Sequence, residues 1–328
     1  MESATPSPLR HVWRSGRRLA RGLANRASAP IRLPLVVLAY HRVTRLAADP
    51  FRLAVAPERF RAHLALLRKQ FAAVRFEADW SQVRRPAVVI TFDDGYADNV
   101  REALPLLEEF GLPATFFVTS GMVGAAREFW WDELARLVLI RCSQPSRFPI
   151  PGTDLHWAAA TPEDRQVLFH RLHRLCKRHG AEPILDLVRT WVGTAPGPRE
   201  THRALTLDEL RRLAASPLVT VGAHTRTHPS LARLAPGAQR AEILGSQADL
   251  RAWLGRPIEV FSYPFGERAD VSPETVRICA GAFAKAAVCR GGWVLPWTDR
   301  WQIPRMVVFD WDVAELAARL EDCGLQAA

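Results

Sequence analysis

Cysteine is sparse in this chain: five in 328 residues, scattered and odd in number, with no Cys-X-X-Cys pair. A disulfide framework is therefore not expected to hold the fold together. No stretch approaches the ~20 consecutive apolar residues that a bilayer span requires. The arginine-rich start is followed by only a short apolar run, which serves better as a first strand than as a secretory leader. The expectation is a cytoplasmic protein, with attachment at the inner membrane surface as its variant. There is no internal repeat. No recognised nucleic-acid-binding motif occurs, and the aromatic residues do not interleave with a basic stripe. Histidine is missing altogether after Arg305.

Charge is abundant and lopsided. Lys and Arg number 44 against 34 Asp and Glu, a net charge of +10. Arginine greatly outnumbers lysine and is spread along the chain, so no nucleic-acid partner is expected from charge alone. The charge is locally dense only in residues 1–32, at Arg10, Arg14, Arg17, Arg18, Arg21 and Arg26. That segment reads as a solvated basic tail, with peripheral contact to an anionic membrane as the alternative. Acidic polysaccharides or pyrophosphate-linked carriers would also be drawn to such a surface.

A hydrophobic content of 48% is ordinary for a globular protein, and the length allows one large domain with a substantial core. Strand-like runs at 35–39, 88–91, 114–119, 219–223, 259–263, 286–288 and 306–309 alternate with helical patterns. The helical patterns fall at 57–70, 99–110, 207–215, 237–254 and 312–323. Such alternation indicates an α/β fold of parallel strands with helices outside. The domain is expected over 33–328, with a helical insertion at about 120–205 that opens with Phe129-Trp130-Trp131-Asp132-Glu133-Leu134. Within it, His170, His173 and His179 lack accompanying ligands and are read as surface residues.

The most informative run is Val88-Val89-Ile90-Thr91-Phe92-Asp93-Asp94-Gly95-Tyr96. It reads as a buried strand ending in two carboxylates, with Gly95 permitting a sharp turn. Neighbours at a strand end point in different directions, so one carboxylate can hold a metal while the other accepts a proton. A second apolar run, Val219-Thr220-Val221-Gly222-Ala223, delivers His224-Thr225-Arg226-Thr227-His228-Pro229. Two histidines four apart can converge on one cation, and imidazole with carboxylate suits zinc or a similar divalent ion. Three protein ligands leave coordination positions open, as a catalytic site requires.

With these motifs the chain resembles the polysaccharide deacetylases of the NodB-homology type, carbohydrate esterase family 4. Thr91-Phe92-Asp93-Asp94-Gly95-Tyr96 matches the first family motif and His224-Thr225-Arg226-Thr227-His228 the second. The resemblance implies Asp93 as general base and Asp94, His224 and His228 as metal ligands. Phe261-Ser262-Tyr263-Pro264-Phe265-Gly266 resembles the third motif, whose aromatic-proline segment walls the groove. By the same resemblance Phe265 supplies a backbone N–H to the oxyanion. Tyr96, Tyr263, Pro264 and Phe265 are the candidate substrate-binding residues, with Trp297 and Trp301 as further aromatic surfaces for sugar faces. The similarity runs from about residue 35 to the C-terminal helix, and it implies a distorted, incomplete barrel of the (β/α)7 type.

Two departures stand out. The family's third motif opens with an arginine that orients the base, where this chain has Ser262; Arg305 and Arg290 are the candidate substitutes. The family's late histidine, the general acid, has no counterpart. Instead the first strand ends in Tyr40-His41-Arg42-Val43, similar to the Tyr-His segment of the exopolysaccharide branch, which implies His41 as the acid. The chemistry implied is hydrolysis of an acetamide on an amino sugar. A divalent metal (zinc, with nickel or cobalt as alternatives) activates water; Asp93 takes a proton and His41 returns one to the amine. The implied partner is an N-acetylated glycan or glycan precursor. A deacylase of a lipid-linked sugar or small amide, and a glycan-binding pseudoenzyme, are the alternatives.

Overall fold

The computed structural model describes residues 35–140, 145–193, 197–291 and 293–325. The basic tail expected at 1–32 lies outside the described residues. Leu35–Tyr40 (β1) and Ala87–Phe92 (β2) are buried at every position, the mark of parallel strands covered on both faces. They are joined by Ala114–Val118 (β3), Val219–Ala223 (β4), Val260–Ser262 (β5), Lys285–Val288 (β6), Ile303–Pro304 (β7) and Met306–Val307 (β8). The sheet runs β7-β6-β5-β4-β3-β2-β1-β8, with every pair parallel. β7 and β8 are halves of one segment split at Arg305. β7 pairs with β6 and β8 with β1, so the two edges of the sheet meet on the same five residues. This is the expected distorted seven-membered α/β barrel, its last strand reduced to two short halves.

Helices wrap the outside: Pro57–Gln70 (α1), Leu104–Phe110 (α2), Trp130–Leu139 (α3), Pro162–His179 (α4), Ala181–Val192 (α5), Leu207–Ala215 (α6), Pro236–Leu254 (α7), Pro273–Ala280 (α8) and Val313–Asp322 (α9). Proline opens α1, α7 and α8, where its missing N–H costs nothing. Thr206 caps α6 reciprocally with Glu209. The helix expected at 99–110 is in two parts, a π-helical turn over Asn99–Ala103 followed by α2.

Side-chain alternation sorts the strands into two layers. Val36, Leu38 and Tyr40, like Val88, Ile90 and Phe92, pack outward against helices. Leu35, Val37, Ala87 and Val89 face the barrel interior with Phe117, Val260, Ala287 and Ile303. Between β3 and β4, the helices α3, α4 and α5 and an antiparallel hairpin (Arg147–Pro149 with His156–Ala158) build a core of their own. That unit meets the barrel through Tyr96, Met122, Phe129 and Trp131. No helix among the described residues is long and apolar enough to cross a membrane.

Candidate active site

Register brings the chemistry to one rim. Tyr40 lies level with Phe92, and the Asp93 N–H extends that ladder to the Tyr40 carbonyl at 3.0 Å. The His224 N–H does the same to the Val118 carbonyl at 3.1 Å. The interior-facing alternation that passes through Val37, Val89 and Val260 continues to His41, Asp93 and Ser262, all beyond or at the C-terminal ends of their strands. That end is where barrel enzymes assemble their sites.

Asp94, His224 and His228 are buried, and one donor atom from each lies within 4.8 Å of the others. The Asp94 carboxylate stands 3.6 Å from His224 Nε2 and 3.4 Å from His228 Nε2. His224 Nδ1 is 2.7 Å from the Ser262 carbonyl, a bond that places the proton there and leaves the Nε2 lone pair facing Asp94. Burial opposes ionisation of Asp94, but the histidines around it hold the carboxyl below its ordinary value. Burial pushes the His228 imidazole down to about 3, with His224 adding to the effect. An ionised carboxylate and two neutral imidazoles are the donor set a divalent ion takes.

Asp93 is set apart from this trio by a clamp. Arg305 donates from Nη1 to one carboxylate oxygen at 2.7 Å and from Nη2 to the other at 2.6 Å. The guanidinium is fully buried and also donates to Thr91 Oγ1 at 3.1 Å and Ser262 Oγ at 2.7 Å. Burial alone would raise the Asp93 carboxyl; Arg305 reverses that and holds it well below the usual carboxylate range. Arg290, the other candidate, instead reaches toward the Gly266 carbonyl and Gln302. Ser262 is small enough to leave room for the guanidinium, which comes from the segment one strand removed from β2.

The backbone is strained where these groups converge. Five non-glycine residues among those described have positive φ, and four are Asp94 (73°), Thr225 (63°), His228 (57°) and Phe265 (60°). Such conformations cost ~1–3 kcal/mol each and cluster where side chains must be aimed. His41 shares a hollow with Asp94, Tyr96 and Trp131, and its Nδ1 is buried without a hydrogen-bond partner.

A family model described as polysaccharide deacetylase matches residues 81–140 and 170–279, just over half of the chain. The chain belongs to the polysaccharide deacetylase family. The Bacillus subtilis protein YxkH is 32% identical to this chain over 102 residues, a match covering 29% of the chain and 34% of YxkH. The chain thus spans about a third of the length of that relative. IcaB of Ammonifex degensii superposes with a TM-score of 0.55 at 20% identity, covering 88% of this chain and 97% of that one. BC0361, a polysaccharide deacetylase from Bacillus cereus, gives 0.57 at 17% identity over 87% and 68% of the two chains. At those identities the likeness is one of fold.

Within this deacetylase fold, three of the expected substrate-facing residues, Tyr263, Pro264 and Tyr96, are buried. Tyr263 follows Phe261 on the outward layer; it is fully buried and its hydroxyl donates to the Trp301 carbonyl at 2.9 Å. Pro264 is buried as well. Tyr96 is 2% exposed, its hydroxyl donating to Asp132 at 2.6 Å and accepting from Trp131 Nε1 at 2.8 Å. Phe265 alone keeps open surface, with its ring 4.7 Å from that of His228. Trp297 is 65% exposed, whereas Trp301 packs on the core and donates to the Phe283 carbonyl. His170 and His179 are exposed as expected, but His173 is half-buried, stacked on Trp130 and beside Phe51.

Sequence reading also passed over Trp131, whose ring lies 4.6 Å from that of His228. Tyr96 holds its indole N–H, and Asp132 holds Tyr96. The Asp132 carboxyl is pushed up to about 7 by desolvation. The signal available was the aromatic pair beside acidic residues that opens the insertion, but nothing in it names a partner on another strand. The same unit bounds a cleft of about 580 Å3 whose walls include Trp130, Lys177, Thr227, His228 and Phe265.

Proposed function

We propose that this protein is a metal-dependent hydrolase that removes N-acetyl groups from amino sugars of a polysaccharide or glycan precursor. The observation that carries this reading is a clamped, ionised carboxylate, Asp93, standing beside the donor trio Asp94, His224 and His228 without belonging to it. A divalent cation held by that trio, zinc by the chemistry of the donors, would supply Lewis acidity toward a water molecule and the acetamide carbonyl.

The chain's own residues divide the remaining work. Asp93 is ionised at neutral pH because Arg305 holds it so, and it acts as the proton acceptor. The two-point guanidinium contact also fixes the plane of its carboxylate. The Phe265 N–H has no protein acceptor among the described residues and is free to donate to a developing oxyanion. His41 lines the hollow beside Asp94, which supports its reading as the donor that returns a proton to the departing nitrogen. The cleft bounded by Trp130, Phe265 and the insertion receives the sugar.

The test is acetate release from N-acetylated oligosaccharides by metal-stripped protein, with zinc, nickel or cobalt restored. Restored release is expected, with Asp93→Asn lowering kcat by a factor of about 100–10,000 and leaving zinc binding intact. His41→Ala is expected to lower kcat comparably. Release that is indifferent to metal, or an Asp93→Asn variant as active as the parent, would sink the proposal.

A further inference from the structure

The cleft that His228 lines does not end at Phe265. Lys177, Arg178 and Arg233 line it and also line a second groove of about 610 Å3, which adds Trp157, Arg171 and Arg174. Arg171, Arg174 and Arg178 follow one another on α4 at spacings of three and four, which places them along one face of the helix. Arg233 comes from the barrel side. All four arginines are exposed, and none forms an ion pair with a carboxylate among the described residues. The carboxylates of the groove, Glu267 and Asp270, are both taken by Lys177, at 3.4 and 2.9 Å.

Exposed arginines without a carboxylate partner occur elsewhere among the described residues, Arg68, Arg240 and Arg251 among them; what distinguishes this groove is that four of them line one space continuous with the cleft. Elsewhere Arg189 meets three carboxylates, Arg203 two, and Arg226 is paired with Asp249. Like charges three and four apart on a helix repel one another, so the row works against the helix that carries it. Guanidinium groups pair with carboxylate or phosphate in a two-point geometry, and a ligand of that kind would relieve the repulsion. Trp157, with Arg171 5.5 Å from its ring centroid, offers an aromatic face in the same groove. Lys177 joins groove to site: its Nζ lies 4.2 Å from the Phe265 ring centroid, and that ring borders His228.

We infer that this groove binds an anionic oxygen group carried by the glycan, a carboxylate or a phosphate, while the acetamido sugar occupies the cleft that His228 lines. The inference rests on the deacetylase reading for the identity of the sugar, and it makes an acidic glycan, not a neutral one, the preferred substrate class.

Binding measured by calorimetry on the full-length protein tests it without requiring turnover. The probes are a hyaluronan hexasaccharide, which carries carboxylates, UDP-N-acetylglucosamine, which carries a pyrophosphate, and a neutral N-acetylglucosamine hexamer. One anionic probe is expected to bind at least about tenfold more tightly than the neutral hexamer, with the preference shrinking as salt is added. The Arg171→Gln, Arg174→Gln double variant is expected to lose about tenfold on that probe alone. Which anionic probe wins tells carboxylate from phosphate. No preference for either anionic probe, or one that survives the double variant, overturns the inference. Arginine-dependent binding with no acetate released from any probe would leave the groove standing and remove the deacetylase reading.

Discussion

Asp93 and Asp94 are neighbours in the chain but experience opposite surroundings: a buried guanidinium on one, two imidazoles on the other. The difference follows from alternation at the strand end and from the positive φ of Asp94, which turns its side chain away from Arg305. Replacing Arg305 by Met would leave Asp93 buried and unpaired, at a cost of about 3–5 kcal/mol in a denaturant titration at pH 7. With Arg305 present the folded carboxyl titrates below its unfolded value of about 4, so its contribution is in place above that pH and is lost as the pH falls. The variant's deficit should therefore be largest at neutral pH and shrink progressively as the pH falls toward and below ~4. Without Arg305, burial dominates and raises the carboxyl, so the acid limb of the activity profile should move to higher pH. An unchanged acid limb would mean that Arg305 does not set the charge of Asp93.

Elements decide which side chains can reach the rim at all. On β5, Val260 and Ser262 face inward while Phe261 and Tyr263 face the helices, so a motif read as consecutive letters splits between site and core. After β5 the chain reverses through Pro264, Phe265 and Gly266. A Cβ on Gly266 (φ +64°) would sit 2.2 Å from the Cys289 backbone nitrogen. Gly266→Ala is expected to cost about 1–3 kcal/mol of stability and to lower acetate release by displacing Phe265. Gly255→Ala, at the same φ but with nothing within 4 Å, should lose stability modestly and keep its activity. Comparable activity losses in both would refute the steric account. Except for β7 at Ile303–Pro304, which precedes the run expected at 306–309, strand positions were legible in the sequence to within a residue or two because apolar runs bounded by Gly, Pro and Asp leave few choices. The helix α8 was not, although Ser272 caps it: eight residues carry too little periodicity to stand out.

At the scale of the whole molecule, burial has made several histidines poor bases. His202 is pushed down to about 3 and His173 to about 4, chiefly by desolvation, and His63 is lowered for the same reason. Each binds a proton more readily in the unfolded chain, so stability is full above pH ~6.5 and falls as the pH drops below it. For His202 the loss by pH 5 is on the order of 2 kcal/mol. The buried Asp132 carboxyl, raised to about 7, works in the opposite sense over this range, so the test is a comparison: between pH 7.5 and pH 5 the Tm of His202→Asn should fall less, or rise more, than that of the parent. A Tm difference between pH 7.5 and pH 5 that is the same in His202→Asn as in the parent would contradict the burial argument for His202. The insertion belongs to this scale too. Its aromatic opening was visible, but its role as the second wall of the cleft depends on Trp131 and Trp130 meeting residues from β4 and β5 loops.

Local alternation and turn chemistry, written in adjacent residues, were enough for the sequence by itself to determine most strand ends and to set two carboxylates and two histidines at them. The choice of Asp94, His224 and His228 as the donor trio came from the family resemblance of those motifs. The sequence also narrowed the partner of Asp93 to two arginines. Only the tertiary structure decided between them, since Arg305 reaches Asp93 from a segment more than two hundred residues away in the chain. It likewise decided that Tyr96 and Tyr263 are buried, that His173 joins an aromatic cluster, and that four arginines line one groove. The physical reason is the same in each case: burial and pairing depend on the closure of the barrel and the docking of the insertion, and neither is encoded in the spacing of neighbouring residues.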